Sequence, residues 1–395
     1  MNYDFLDPAF MESSRKAVQT FQIYLEQVEP PPRELDELCT RLRTYGHCDS
    51  LASDFLVGAV DGSGDFPVFQ QDDIFVYLVT SAALLYQTQT DRQHKLSRVL
   101  VEGEHLKHFV VLPGNPKLLR QEYKNYINFL AGTSLQNLVV ESDYLEVYGR
   151  FGKKISSSHV RWDKLAIPHA SQVASHQYQI RSLAELATVL RFLHSKPKYV
   201  LIDTSFVYFL LGNTLFLPEI MKRYIKARAL EQGTGLIALS KSHNVPNGDL
   251  IGRKAKELGF TDHWYLRLPS KELGEELPSF LHEREIPPKL CVSYLFKFHG
   301  TTFPMRIDLD FRWWHQAIGE NEEAEKAFFR ELDYTCHDVR SYGYPYPMYA
   351  AHRRASLTKG ERKSIREILV RHAMHEGLIR EPFERAGEDL HMGGM

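Results

Sequence analysis

Residues 55–64 read Phe-Leu-Val-Gly-Ala-Val-Asp-Gly-Ser-Gly, and residues 199–205 read Tyr-Val-Leu-Ile-Asp-Thr-Ser. Each is a short apolar run that ends on an aspartate followed by a small residue and serine. Apolar runs of this length bounded by turn formers predict buried strands. The first strand is expected over 55–60, running into an Asp61-Gly62-Ser63-Gly64 turn, and the second over 199–202, ending at Asp203. A single aspartate in such a place commonly just ends a strand or caps a turn. The repetition gives the pair its weight.

Working outward, residues 12–28 carry apolar positions at helical spacing, and Pro30-Pro31-Pro32 stops that helix. A second helix is expected over 34–45, making 1–53 an N-terminal helical segment outside the main sheet. The apolar runs 74–86 and 99–112 predict two further strands, the first interrupted at Ser81-Ala82-Ala83. Three consecutive strands without a helix imply an antiparallel meander. Residues 116–178 read as an insertion, with a helix over 118–130, a hairpin around 138–151 and a Ser- and His-rich loop. Ser182 with Glu185 three positions on matches a capping box opening a helix that reaches 194. The rest alternates: helix 217–232, strand 235–239, helix 248–258, strands 291–298 and 305–311, and an acidic helix over 320–332. A Tyr344-Pro-Tyr-Pro turn and a helix over 359–376 close the pattern, with 359–395 as C-terminal helix and tail.

This order predicts an α/β fold of the RNase H-like kind over 54–358: a mixed sheet, antiparallel meander plus parallel strands, flanked by helices, with N-terminal helices and an insertion. In that architecture the first and fourth strands are neighbours, so Asp61 and Asp203 converge.

Composition narrows the chemistry by exclusion. Forty-eight basic against fifty acidic residues leave a net charge of −2, so no global positive field draws the chain to nucleic acid, and DNA contact needs a local basic surface or a partner. The four cysteines form no CxxC pair, as expected of reduced thiols in a cytoplasmic protein. Cys336-His337-Asp338 sits in no electropositive setting that would lower a thiol pKa. Residues 1–10, with Asp4 and Asp7, do not read as a signal peptide. The longest apolar stretch, 206–217, is interrupted by Asn213 and falls short of the roughly 20 residues of a membrane helix. Lys241-Ser242 lacks the glycines of a Walker A loop, so any ATP-driven motor must be another subunit. Gly58, Gly62 and Gly64 do not make a dinucleotide fingerprint.

Carboxylate oxygens are the ligands Mg²⁺ and Mn²⁺ prefer, and two such ions can clamp an in-line phosphoryl displacement. Asp61 and Asp203 supply two carboxylates. Glu185, on the helix leading into the second strand, supplies a third or serves only as a cap. His352, among small residues at 350–355, offers an imidazole ligand or proton carrier. Lys241, at the end of a strand, offers a cation for phosphate.

Four segments together resemble the NurA nuclease family: Val57-Gly-Ala-Val-Asp61-Gly-Ser63, Val200-Leu-Ile-Asp203-Thr-Ser205, Leu239-Ser-Lys241-Ser242 and Gly343-Tyr-Pro-Tyr-Pro-Met-Tyr-Ala-Ala-His352. The resemblance implies a Mn²⁺-dependent DNA nuclease, with Mg²⁺ as a substitute, acting as a 5′ to 3′ exonuclease and single-strand endonuclease on single-stranded DNA and duplex ends. It implies Asp61, Asp203, Glu185 and His352 as metal ligands, a homodimer, and a HerA-like hexameric ATPase as partner. The N-terminal helical pair and 206–217 are the expected contact segments. Arg306-Ile-Asp308-Leu-Asp310 resembles a family strand but implies no role for either aspartate. The alternatives are an inactive RNase H-like DNA-end adaptor for the ATPase, and an RNase H-like enzyme acting on RNA.

Overall fold

The computed structural model describes residues 7–377 apart from 27–32, 48–50, 65–66, 72, 91–94, 102–104, 141–146, 149–153, 156–166, 170, 207–209, 212–213, 216, 283–285, 301, 339 and 342. Helices α1 (Pro8–Glu26) and α2 (Arg33–Cys39) precede a short strand, β1 (Leu42–Thr44). Five strands follow: β2 (Leu56–Ser63), β3 (Pro67–Gln71), β4 (Ile74–Thr88), β5 (Leu96–Val99) and β6 (His105–Pro113). Helices α3 (Pro116–Ala131) and α4 (Leu135–Val140) lead to a small antiparallel pair, β7 (Val147–Tyr148) and β8 (Lys154–Ile155). After α5 (Val173–Leu193) and β9 (Tyr199–Ile202), a second small pair, β10 (Leu210–Leu211) and β11 (Thr214–Leu215), leads into α6 (Leu217–Glu231). The remaining elements are β12 (Gly235–Ser240), α7 (Gly248–Glu257), β13 (Trp264–Arg267), α8 (Ser279–His282), β14 (Cys291–Lys297), β15 (Met305–Asp310), α9 (Phe311–Ala317), α10 (Glu322–Tyr334), α11 (Tyr346–Ala355) and α12 (Lys359–His375).

Eleven strands form one mixed sheet in the order β1-β13-β14-β15-β12-β9-β2-β4-β3, with β5 and β6 also paired to β4. The β2–β9 and β9–β12 pairs are parallel, and the other pairs are antiparallel. Residues alternate faces along a strand, and β4 displays the consequence. Phe75, Tyr77, Val79, Ala83 and Leu85 join the core under α3, α5 and α6, whereas Leu84 and Tyr86 join the core under α9, α10 and α11. Polar links pin both layers: Ser81 Oγ meets Thr188 Oγ1 of α5 at 2.7 Å, and Thr80 Oγ1 donates to the Ala355 carbonyl of α11 at 2.6 Å.

Several expectations are corrected. Both expected N-terminal helices are present as α1 and α2, but the second ends at Cys39, and residues 42–44, expected to be helical, are a strand on the sheet edge paired with β13. Asp61, Gly62 and Ser63 do not turn; they pair with Ala82, Ser81 and Thr80. Strand β4 runs unbroken through Ser81-Ala82-Ala83, and the 99–112 run is two strands, β5 and β6. Ser182 and Glu185 lie in the middle of α5, whose N-cap is Gln172, so they form no capping box. The α3 helix is core rather than appendage: it buries Leu119, Tyr123, Tyr126 and Ile127, with Tyr126 Oη donating to the Ile180 carbonyl at 3.0 Å. Much of the expected 138–151 hairpin and of the Ser- and His-rich loop, and the tail beyond 377, lies outside the described residues.

Gly235 opens β12 directly against an indole. A Cβ there would come within 2.4 Å of Trp313 Cζ2 and 2.8 Å of Cε2. Both groups belong to rigid packing, so Gly235→Ala is expected to cost about 1–3 kcal/mol by overpacking. Urea denaturation checks this: Trp313→Phe in the same chain should recover part of the loss, and additive losses would contradict the contact.

Candidate active site

Parallel pairing sets Val57 beside Tyr199 and Val60 beside Ile202. The next residue on each strand is then the aspartate, Asp61 still in β2 and Asp203 just past the end of β9. Sheet hydrogen bonds thus bring Asp203, the first residue beyond β9, to the level of Asp61.

Asp61 is 6% exposed. Its Oδ1 accepts from the Gly62 backbone N–H at 2.7 Å, and its Oδ2 lies 2.6 Å from Nδ1 of His352 on α11. Burial pushes the Asp61 carboxyl above its ordinary range, the His352 contact pulls it back, and Asp203 pushes it up again. His352 itself is exposed. With Nδ1–H donated to Asp61, its Nε2 remains for another partner.

Glu185 reaches the site from the opposite face. Gly58 and Gly62 face α5, and a Cβ on Gly62 would sit 3.3 Å from both Cβ and Oε2 of Glu185. The missing side chain at Gly62 is therefore the gap through which α5 brings a carboxylate to the strand end. Glu185 is 6% exposed, and its Oε1 is buried without a hydrogen-bond partner. Burial first, then Asp61 and Asp203, hold its carboxyl well above the ordinary range, while Arg181 and Lys222 draw it down. An orphaned oxygen among like charges is costly unless a cation or proton offsets it.

Asp203 Oδ2 pairs with Lys241 Nζ at 3.1 Å, and that ammonium lies 5.0 Å over the ring of Tyr344. The structure therefore brings together all five residues singled out from sequence: Asp61, Glu185, Asp203, Lys241 and His352. No three of the four proposed ligands offer donor atoms that all lie within 4.8 Å of one another. The donors surround the strand ends loosely.

Sequence reasoning missed three neighbours. Tyr344 is the clearest: its hydroxyl is buried without a hydrogen-bond partner, and its pKa is raised by burial and then by Asp203 and Asp61. The Gly-Tyr-Pro-Tyr-Pro block was noted as a motif, yet nothing in it separates Tyr344 from Tyr346. Arg181 and Lys222 come from consecutive helices and carry no local signal. Asp308 and Asp310, left without roles, are structural. Asp308 accepts from Ser293 Oγ, Arg306 Nη2 and the Phe206 backbone N–H, tying down the loop behind Asp203. Asp310 caps α9 and pairs with Lys226 at 3.1 Å. Burial raises the Cys336 thiol, which argues against thiol chemistry there.

No family's sequence profile and no curated protein sequence matches the chain. Among solved structures it is similar to the NurA nuclease from Sulfolobus solfataricus, at 13% identity and a TM-score of 0.46, over 95% of this chain and 98% of that one. It is also similar to NurA solved with manganese, at 12% identity and a TM-score of 0.40, over 94% of this chain and 100% of that one. A further NurA structure has 14% identity and a TM-score of 0.41, over 94% and 99%. Likeness at this level carries no residue role from those chains to this one.

The raised Glu185 carboxyl fixes the sign of a stability effect. The folded state holds its proton to higher pH than the unfolded chain does, so metal-free stability is fullest in acid and is lost as pH rises through the raised value. Glu185→Gln removes that titration. In chelator-treated protein its melting temperature should fall less than that of the unsubstituted chain as pH rises from the ordinary carboxylate range upward, and parallel profiles would contradict the assignment.

Proposed function

We propose that the chain is a metal-dependent deoxyribonuclease with an RNase H-like core, its ligands being Asp61, Asp203, Glu185 and His352. One observation carries this reading: two aspartates on adjoining parallel strands meet a buried glutamate with an unpaired oxygen. The donor set is three carboxylates and one imidazole. Such a set fits a hard divalent ion, Mn²⁺ or Mg²⁺.

When bound, the metal supplies Lewis-acid polarisation of the phosphodiester and a water of lowered pKa. The chain's own residues do the rest. Asp61 and Asp203 would present carboxylate oxygens at the strand ends, and Glu185 would offer a third carboxylate from α5 across Gly62. Lys241, half exposed at the rim and held between Asp203 and the Tyr344 ring, offers its ammonium to a substrate phosphate. His352, oriented by Asp61 through Nδ1, would present its Nε2 to the ion.

Support for DNA comes from local charge, since the net charge is −2. Immediately after His352 come Arg353, Arg354, Lys359, Arg362, Lys363, Arg366 and Arg371, against Glu361 and Glu367. Most of these are exposed on α11 and α12, a surface suited to phosphates of single-stranded DNA or duplex ends. End resection with 5′ to 3′ polarity, with a HerA-like hexameric ATPase as motor, completes the reading. Among the described residues no helix is long and apolar enough to cross a membrane.

Asp61→Asn and Asp203→Asn are each expected to lower Mn²⁺-dependent degradation of linear DNA by at least about 100-fold while leaving the circular dichroism spectrum intact, and Lys241→Ala by about 10- to 100-fold. Undiminished cleavage by Asp61→Asn would sink the assignment. Failure of the unsubstituted chain to bind Mn²⁺ in calorimetry would favour the non-catalytic adaptor.

The homodimer reading is supported by α1, whose Phe10, Met11, Val18 and Phe21 are exposed on one side of the helix. An apolar face of this kind marks a contact surface. Val18→Glu with Phe21→Glu should convert a dimer to a monomer in light scattering at micromolar concentration. A monomeric parent chain would contradict the reading.

A further inference from the structure

A second group of ligand-type side chains lies away from the site above, at the sheet edge where β1, β13 and the C-terminal end of α10 meet. Asp333, in the last turn of α10, is 1% exposed. Three imidazoles face its Oδ2: His337 Nε2 at 2.9 Å, His47 Nδ1 at 3.7 Å and His263 Nε2 at 3.9 Å. The Tyr45 hydroxyl donates to Oδ1 at 3.4 Å. Among the described residues no lysine or arginine pairs with Asp333.

Only the His337 contact has hydrogen-bond length; 3.7 and 3.9 Å are too long. His263 Nε2 is accordingly buried with no hydrogen-bond partner although it is aimed at Asp333. Its other ring nitrogen, Nδ1, sits 3.3 Å from Asp262 Oδ1, the carboxylate support that orients metal-bound histidines. The donor atoms of His47, Asp333 and His337 all lie within 4.8 Å of one another. A tetrahedral ion with ligands at about 2.0–2.2 Å spaces them about 3.3–3.6 Å apart. Opening the His337–Asp333 contact by less than about 1 Å gives that spacing for this pair, and His263, which lies outside the 4.8 Å group, completes the set by closing on the other imidazoles by more than about 1 Å.

We propose that His47, His263, Asp333 and His337 form a structural transition-metal site, selective for Zn²⁺ over Mg²⁺ and Mn²⁺. Three imidazoles to one carboxylate suit Zn²⁺ and not the hard, oxygen-preferring ions of the carboxylate centre. The ion would offset the charge of Asp333, which the fold buries with no lysine or arginine partner among the described residues. It also staples the three-residue strand β1 to β13 and to α10, joining parts of the chain almost three hundred residues apart. His47, whose side chain is 41% exposed, forms the entry side. The proposal stands independently of the nuclease reading.

The test uses the full chain, stripped with chelator and titrated with Co²⁺ in visible absorption and with Zn²⁺ in calorimetry. One equivalent of Co²⁺ giving the intense bands of tetrahedral coordination, displaced by Zn²⁺ together with a rise in melting temperature, is the expected result. The bands should survive in Asp61→Asn and vanish in the His263→Ala/His337→Ala double variant. The exposed His47→Ala, which does not disturb the core, should weaken Zn²⁺ binding by at least about ten-fold, so the proposal stays testable if the double variant fails to fold. Absence of tetrahedral bands in the parent chain, bands lost in Asp61→Asn, or unchanged Zn²⁺ affinity in His47→Ala would each overturn it.

Discussion

The parallel hydrogen-bonded ladder between β2 and β9 is the constraint on which the rest of the molecule depends. Two strands far apart in sequence lie in register from Val57–Tyr199 to Val60–Ile202, so the residue after each run falls at the same level of the sheet. A parallel neighbour requires a crossover, and α5 lies in the connection, packed against β2 and β4. The same helix carries Glu185. Topology therefore delivers both aspartates and the glutamate together, and the sheet's rigidity holds them where a loop would not.

That arrangement runs against the electrostatics of folding. Buried carboxylates close to one another are held above their usual pKa, and Glu185 has an oxygen with nothing to accept from. The fold tolerates them with partial offsets on every side: His352 on Asp61, Lys241 on Asp203, Arg181 and Lys222 near Glu185. Asp308, inside the sheet, secures the loop behind Asp203 through the Phe206 amide. Groups left under-compensated at strand ends in this way are the support for the proposed cation site.

The sequence made the centre legible because apolar strands that stop on aspartate carry their own punctuation, and Lys241 and His352 sat in motifs of the same order. Other features misled for physical reasons. Gly62 and Gly64 suggested a turn, whereas Gly62 serves close approach of α5 and stays paired in the sheet. Ser182 and Glu185 mimic a capping box, yet the helix begins nine residues earlier in a Ser- and His-rich stretch with little apolar periodicity. Strands β1 and β13 are three and four residues long, too short for a period of two to register. The His47–Asp333–His337 cluster joins distant positions, and nothing local announces it.

Asp61 and Asp203 are proposed to hold a divalent ion at the ends of adjoining strands. Anomalous diffraction from a crystal soaked in Mn²⁺ tests it most directly. The predicted result is a manganese peak within ligand distance of both carboxylates, with Glu185 or His352 Nε2 completing the shell. Anomalous density absent between Asp61 and Asp203, in crystals whose site is open to solvent and saturated with Mn²⁺, would contradict it.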